Sequence, residues 1–275
     1  MLNLSPEAIL ASLPKLPAFP RIVTQILAVL DDDNASLSAL VNHLQRDPVI
    51  AGRVLSAANA SQFAHRTLGG VSSAVSFIGM RRVREIVLTT SMLDFSRNLR
   101  VPKFFWEHSL AVGICTHELA REFNLDEDRA LVAGLLHDIG KLWMAYLHSQ
   151  EEQKVEDILS SQPRPLCEVE REVFGMDHCA IGAIIARYWK LPEEIIEAIV
   201  EHHRPNRPDL GKLAAAVHVA EAICNGLDLP LRNDNQVIEI SVPALQALEM
   251  DWNADMSDLL GRVDARFQHA RALVQ

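Results

Sequence analysis

The sequence lacks the features that mark membrane, secreted and nucleic-acid-binding proteins. No apolar run reaches the ~18 residues that a membrane helix needs. The N-terminus, MLNLSPEAIL, has no basic region followed by an apolar one, as a signal peptide would. A net charge of −10 argues against a broad basic face for nucleic acid. We therefore expect a cytoplasmic protein with no membrane segment and no broad nucleic-acid-binding surface.

Cysteine is scarce, and the alternating apolar pattern of β-strands is missing. The four cysteines stand without the CxxC spacing of zinc and redox motifs. We expect them to be reduced thiols, as in most cytoplasmic proteins. They are Cys115, Cys167, Cys179 and Cys224.

Apolar residues recur at helical spacing along almost the whole chain, which at 275 residues is long enough for one large core or two small ones. The pattern predicts an all-α protein, a multi-helix bundle with an N-terminal helical subdomain. Beyond residue 100 we expect helices over 104–123, 126–141, 151–161, 167–174, 177–189, 192–203, 210–226, 242–249 and 254–274.

The polar stretch 97–102 contains a proline and predicts a subdomain boundary. We expect an N-terminal helical subdomain over 1–100, a helical subdomain with the candidate site over 101–226, and C-terminal helices over 227–275. The helices predicted in the first of these cover 17–30, 36–44, 48–59, 71–78 and 80–95.

Histidine is concentrated in one region, because eight of the eleven histidines fall between residues 108 and 218. His137 and Asp138 are adjacent within an apolar segment, where two polar groups are costly unless something pairs with them. A neutral imidazole and a carboxylate are good ligands for a borderline divalent metal. In the alternative interpretation, Asp138 caps a helix and His137 is a hydrogen-bonded core histidine.

Helical phase divides the remaining histidines. His108 lies on the apolar face of its predicted helix, whereas His117 lies about 180° away and is expected to face solvent. His178 begins a predicted helix, and His202 and His203 end another, where the helix dipole alone would favour them.

A carboxylate at Glu221 also lies on an apolar face and needs a partner. His218, one turn earlier, either lines the same pocket or is a hydrogen-bonded core histidine, and we expect the second. Taken together, imidazoles and carboxylates lie on inward faces of five predicted helices, which is how metal sites in helical bundles are built.

Several motifs, in order along the chain, resemble the HDOD domain, a branch of the HD superfamily of metal-dependent phosphohydrolases. The resemblance spans about residues 13–226 and implies an HD-domain-like bundle that regulates bacterial signal transduction through partners. The motifs are Asp47-Pro48 with Arg53-Val54-Leu55 and Ala58-Asn59; 71–75 with Ile78-Gly79; 105–109; 133–141; Asp177-His178 with 181–183; and 189–193 with 202–205.

The same resemblance implies a divalent transition-metal site, with iron or manganese favoured over zinc or magnesium. Glu221 stands where metal-binding HD proteins usually have aspartate. Asp138 would bridge two ions and help to activate a water, and Lys141 would hold a phosphate oxygen. The implied ligands are His108, His137, Asp138 and Glu221 for one ion, and His178, His202 and His203 for the other.

Two departures distinguish this sequence from the related HD-GYP branch, which cleaves cyclic di-GMP. Residues 203–208 lack the glutamate and the glycine-tyrosine-proline loop of that branch. Phe104 stands where trinuclear members carry a glutamate ligand. A third metal and cyclic di-GMP hydrolysis are therefore both disfavoured.

Three functions remain as hypotheses. The first is a signalling module that has kept a metal site and acts on a signalling protein partner. The second is a metal-dependent phosphohydrolase acting on a nucleotide or phosphoester, with Asp138 and Lys141 as catalytic residues. The third is a structural helical protein with core histidines. A homo-oligomer is compatible with any of them, and the basic cluster 81–84 is either a solvated helix face or a contact for a partner or phosphate.

Overall fold

The computed structural model of the chain describes residues 2, 4–28, 48–60, 71–97, 103–229 and 239–272. Within these ranges every regular element is a helix, which confirms the predicted all-α fold. None of the helices in these ranges is both long and apolar enough to cross a bilayer. The chain divides into two compact units, one formed by Met1–Ala18 with Ser96–Gln275 and the other by Phe19–Phe95.

Most of the described helices follow predicted ones, with most ends shifted by one to three residues, but the helix Pro6–Ser12 was not predicted. In chain order they are α1 (Pro6–Ser12), α2 (Arg21–Ala28), α3 (Pro48–Ala60), α4 (Val71–Ile78), α5 (Met80–Arg97), α6 (Lys103–Glu122), α7 (Glu127–Leu136), α8 (Ile139–Leu147), α9 (Ser149–Ser161), α10 (Leu166–Phe174), α11 (His178–Tyr188), α12 (Glu193–Glu201), α13 (Lys212–Gly226), α14 (Val242–Leu248) and α15 (Ser257–Ala272).

The smaller unit contains α2 to α5 among its described residues. Gly79, with φ of 80°, lies in the left-handed region that glycine tolerates best and separates α4 from α5, as predicted. In the basic cluster, Arg82 forms an ion pair with Glu85 at 2.6 Å, and Arg81 is exposed. The predicted helix over 36–44 lies outside the described residues, as do His43 and His65.

Helix α6 is the centre of the larger unit, where it packs against α7, α13 and α15. Where α6 meets α7, a Cβ atom added to Gly134 would lie only 2.7 Å from the Cα atom of Gly113. The two glycines therefore allow the helices to approach closely. Because several helices cover α6, its residues 109–120 are buried on every face.

This packing contradicts the prediction that His117 faces solvent. Its side chain is buried, with Nε2 at 3.5 Å from a carboxylate oxygen of Glu127. Arg266 of α15 donates a hydrogen bond to Nδ1 of His117 at 3.2 Å. The prediction was wrong because it assumed one solvent-facing side of α6, which α15 covers with an arginine.

The single helix predicted over 126–141 is also wrong, since the chain breaks it into α7 and α8 with a turn at His137 and Asp138. Asp126 does cap α7, as expected, by accepting a hydrogen bond from the Arg129 amide at 2.8 Å. Apolar residues continue on both sides of the turn, so their periodicity does not reveal it. The break rotates α8 onto α11.

Gly140 is what lets α8 lie against α11. A Cβ atom added to Gly140 would lie 1.9 Å from the backbone oxygen of His178 and 2.7 Å from the amide nitrogen of Gly182. Any larger residue would therefore separate the two helices. This contact brings the 137–138 turn to the start of α11.

Candidate metal centre

His137 is held in the turn by its own helix. Its Nδ1–H donates to the backbone oxygen of Gly134 at 2.8 Å, because a carbonyl can only accept. The other ring nitrogen, Nε2, points toward Asp138 and lies 3.5 Å from its Oδ2 atom. The ring is completely buried.

His202, just after the end of α12, repeats this arrangement. Its Nδ1–H donates to the backbone oxygen of Ile199 at 2.9 Å, again three residues earlier. Its Nε2 lies 3.7 Å from Oδ1 of Asp138. Two rings on different helices are thus turned toward one carboxylate by the same local hydrogen bond.

His178, the first residue of α11, is oriented by a carboxylate instead. Oε2 of Glu170 accepts from its ring Nδ1–H at 2.6 Å and from its backbone amide at 2.9 Å. Its Nε2 then lies 3.4 Å from Oδ1 of Asp138. Glu170 is fully buried on α10.

Sequence reasoning missed Glu170, although a signal was present. Val169, Val173 and Phe174 define the buried face of α10, and Glu170 lies on that face with them. A carboxylate on an apolar helix face needs a partner. The sequence therefore contains the same signal at Glu170 as at Glu221.

Asp138 stands between the imidazoles, although it occupies the position of a helix cap. Its side chain makes no capping hydrogen bond to α8, so the capping interpretation does not hold. The metal-ligating atoms of three overlapping groups each lie within 4.8 Å of one another, and together the groups contain all seven predicted ligands. The groups are Asp138, His178, His202 and His203; His108, His137 and Asp138; and His137, His202 and Glu221.

Three buried atoms of this cluster make no hydrogen bond. They are Nε2 of His137, Oδ1 of Asp138 and Oε2 of Glu221. With Nδ1 of His137 donating, all three are acceptors, and buried acceptors normally find a partner. A cation among them would satisfy all three at once, so these residues fit a divalent metal.

Burial keeps the rings of His137 and His203 neutral. Burial lowers the pKa of His137 to about 4, despite the nearby charge of Asp138. Burial, together with the charge of His202, holds the pKa of His203 well below its usual range. Burial also raises the pKa of Glu221. Burial alone would raise the pKa of Asp138 too, but the surrounding imidazoles, His137 first, hold it well below its usual range.

His178 differs from the other rings. Burial would lower its pKa, but the charge and hydrogen bond of Glu170 outweigh burial and raise it to about 10. The ring is therefore protonated at neutral pH without a metal. A cation at Nε2 would displace that proton while the Nδ1–H bond to Glu170 stays in place.

Lys141 lies one turn after Asp138 on α8 and is half-buried. Its charge lowers the pKa of Asp138 and of Glu152. For Glu152 burial dominates and raises the pKa to about 7. Lys141 thus places a positive charge beside the cluster.

His218 is a satisfied core histidine, as predicted. Its Nδ1–H donates to the backbone oxygen of His202 at 2.9 Å, and its Nε2 accepts from the Ser241 amide at 3.1 Å. It supports the backbone at His202 and does not face the cluster with a free ring nitrogen.

The family is decided by sequence comparison. The profile of the HDOD domain matches residues 16–205, well over half of the chain. The chain belongs to the HDOD family. The resemblance seen in the sequence is thereby confirmed.

Solved structures with the same fold include another HDOD protein. An HDOD domain protein of unknown function from Geobacter sulfurreducens has a TM-score of 0.79 and 24% identity, covering 98% of this chain and 95% of that one. A candidate phosphohydrolase from Shewanella amazonensis has a TM-score of 0.70 and 23% identity, and the match covers 97% of this chain and 96% of that one. A candidate signal transduction protein from Marinobacter aquaeolei has a TM-score of 0.75 and 20% identity, and the match covers 99% of this chain and 62% of that one.

The curated relatives are longer than this HDOD chain. It covers 39% of an uncharacterised protein of Treponema pallidum, with 24% identity over 204 residues that make up 70% of this chain. The sequence similarity therefore extends over most of this chain but over less than half of that protein.

Proposed function

We propose that this HDOD protein is a regulatory module of signal transduction that binds a divalent transition metal and acts through a protein partner. The observation that carries the proposal is the common orientation of His137, His178 and His202. Each ring donates its Nδ1–H to a carbonyl or carboxylate and directs Nε2 toward Asp138. Metal-ligating histidines are oriented in this way.

The arrangement around Asp138 supports a site for two ions. Its Oδ2 faces His137, whereas its Oδ1 faces His178 and His202. A carboxylate whose two oxygens face different sets of imidazoles can bridge two cations. The mixed nitrogen and oxygen donors suit iron or manganese.

Five of the seven ligands are buried, whereas His108 and His203 are partly exposed, and this burial favours regulation over turnover. His137, His178 and His202 are fully buried, and Asp138 and Glu221 are 6% and 5% exposed. Structural metal sites are closed, whereas catalytic ones keep a position open to substrate. A closed site would couple metal binding to the stability of the larger unit, and through that to a partner. The Marinobacter candidate signal transduction protein shares this fold.

The second candidate function is hydrolysis of a nucleotide or phosphoester, and Lys141 is the observation that favours it. A bound divalent ion supplies Lewis acidity and a nucleophile at neutral pH. Lys141, beside Asp138, would hold a phosphate oxygen as a point charge. The Shewanella candidate phosphohydrolase shares the fold.

Metal analysis of the purified full chain tests the proposal. We expect at least one equivalent of iron or manganese in the wild type after reconstitution, and its loss in Asp138→Asn and His137→Ala. His269→Ala is the matched control, because His269 is exposed on α15. Only a trace of metal in the reconstituted wild type would refute the metal site.

A hydrolysis screen separates the two candidates. Nucleotides and model phosphodiesters are incubated with the metal-loaded wild type, Lys141→Ala and Asp138→Asn. We expect no turnover that depends on these residues. Turnover in the wild type that both substitutions remove would instead establish the phosphohydrolase.

A further inference from the structure

A second group of metal-ligating atoms adjoins the centre at His178. The Sγ atom of Cys179 lies 3.4 Å from Nε2 of His178. The ligand atoms of Cys167, His178 and Cys179 all lie within 4.8 Å of one another. Cys179 is the second residue of α11 and Cys167 the second residue of α10, so the starts of two helices bring the thiols together.

These donors differ in chemistry from those around Asp138. Two sulfurs and one imidazole form a soft set, which selects thiophilic ions such as zinc, whereas carboxylate-rich sets suit manganese or iron. Cys179 is fully buried, and Cys167 is partly exposed. The exposed side of Cys167 gives an ion a route to the buried donors, which a metal site requires.

We propose that Cys167, Cys179 and Nε2 of His178 form a second binding site, which shares His178 with the centre, for a thiophilic divalent cation of the zinc and cadmium class. On binding, each thiol releases its proton to solvent and becomes a thiolate ligand, and any proton on Nε2 of His178 is released as well. The cation is neither oxidised nor reduced.

Occupation of this site would compete with the centre around Asp138. Nε2 of His178 lies 3.4 Å from Cys179 Sγ and 3.4 Å from Asp138 Oδ1. A single nitrogen lone pair binds one cation, so the thiol site would withdraw His178 from the centre. This consequence rests on the proposed metal-binding function, whereas cation binding by the thiols does not.

The other two cysteines provide an internal control. Cys115 and Cys224 are both buried, and within the described part of the chain neither belongs to a group of potential metal ligands. Removal of either thiol should therefore leave the proposed site intact.

Titration of the metal-free full chain with Cd²⁺ tests the inference through the sulfur-to-cadmium charge-transfer band. We expect one equivalent of Cd²⁺ to produce the band in the wild type and in Cys115→Ala. Loss of even an outer-shell partner costs about 10- to 100-fold in metal affinity, so Cys167→Ser and Cys179→Ala should each weaken binding at least about tenfold. Helix content by circular dichroism confirms that each variant folds.

Two results would overturn the inference. One is the absence of the band in the wild type. The other is a band that persists in the double variant Cys167→Ser/Cys179→Ala, because Cd²⁺ would then bind other thiols.

The same titration separates failure of this inference from failure of the proposed function. His137→Ala removes a ligand of the centre but none of the thiol site, so it should keep the band. Uptake of Mn²⁺, measured without Cd²⁺, reports on the centre alone. Prior Cd²⁺ binding should reduce Mn²⁺ uptake in the wild type and not in the double cysteine variant, and equal uptake in both would refute the competition.

Discussion

At the scale of single residues, the site depends on how each ring is oriented as much as on which ligands are present. His137 and His202 are oriented by carbonyls of their own helices, three residues earlier. His178 begins its helix and has no such carbonyl before it. Glu170 supplies the acceptor from another helix and fixes both the ring and the backbone amide.

Replacement of Glu170 should therefore weaken metal binding without removing a ligand. We expect Glu170→Ala to lower metal affinity about 10- to 100-fold, as is typical when the partner of a ligating histidine is lost. Competition with a chromophoric chelator measures the affinity. Glu168→Gln is the matched control, because Glu168 lies on the same helix and is exposed. Equal affinity in Glu170→Ala and the control would contradict the positioning role.

Glu152 should make stability depend on pH. Burial raises its pKa from 4.5 to about 7, so the folded protein binds a proton there more tightly than the unfolded chain does. The stability that this proton provides is present below about pH 4.5 and is lost as the pH rises through 7. Relative to the wild type, Glu152→Gln should therefore gain up to about 3 kcal/mol between pH 4.5 and pH 8.

Urea unfolding of the metal-free wild type and Glu152→Gln at several pH values measures this gain. Glu168→Gln, with its exposed carboxyl, should show a difference from the wild type that does not change with pH. A pH-independent difference for Glu152→Gln as well would show that the buried carboxyl does not titrate in this way.

At the scale of elements, the centre exists because α8 and α11 touch. Gly140 permits this contact, and the contact brings Asp138 to His178. The helices therefore determine the geometry of the site through a residue that carries no chemistry of its own.

A methyl group at Gly140 should separate the two helices. We expect Gly140→Ala to lose about 1–3 kcal/mol of stability, as overpacked cores do, and to lose metal binding with it. Gly261→Ala is the control, because a Cβ atom there meets nothing within 4 Å. Since Gly261 lies inside α15, this control should be stabilised by about 0.5–1 kcal/mol. Chemical unfolding measures the stability of both variants, and metal analysis measures their metal content. Unchanged metal content in folded Gly140→Ala would show that the close contact of α8 with α11 is not needed for the centre.

At the scale of the whole molecule, the HDOD match over residues 16–205 includes parts of both compact units. The described ligands of the candidate centre all belong to the larger unit, and they come from three helices and from the turns that follow α7 and α12. A metal held by so many elements binds the folded chain far better than the unfolded one. Metal binding should therefore stabilise the larger unit as a whole.

Metal removal should lower thermal stability. Addition of Mn²⁺ at a hundred times its dissociation constant should stabilise the chelator-treated protein by about 2.7 kcal/mol and raise the temperature of its unfolding midpoint. Asp138→Asn should show no such rise, whereas His269→Ala should behave as the wild type does. A rise of equal size in Asp138→Asn would place the metal elsewhere in the molecule.

The sequence by itself determined the helical fold and the seven candidate ligands, because both follow from local patterns. Helical spacing of apolar residues depends on neighbours three and four positions away, and the HDOD motifs are short segments in a fixed order. Even the buried state of His218 followed from its position on an apolar face.

Tertiary structure alone decided the features that depend on residues far apart in the chain. The burial of His117 depends on α15 covering α6, and the turn at His137 and Asp138 on the contact of α8 with α11. The meeting of Cys167 with Cys179 depends on the junction of α10 and α11. Helical periodicity shows which face of a helix is apolar, but it contains no information about which distant element covers that face.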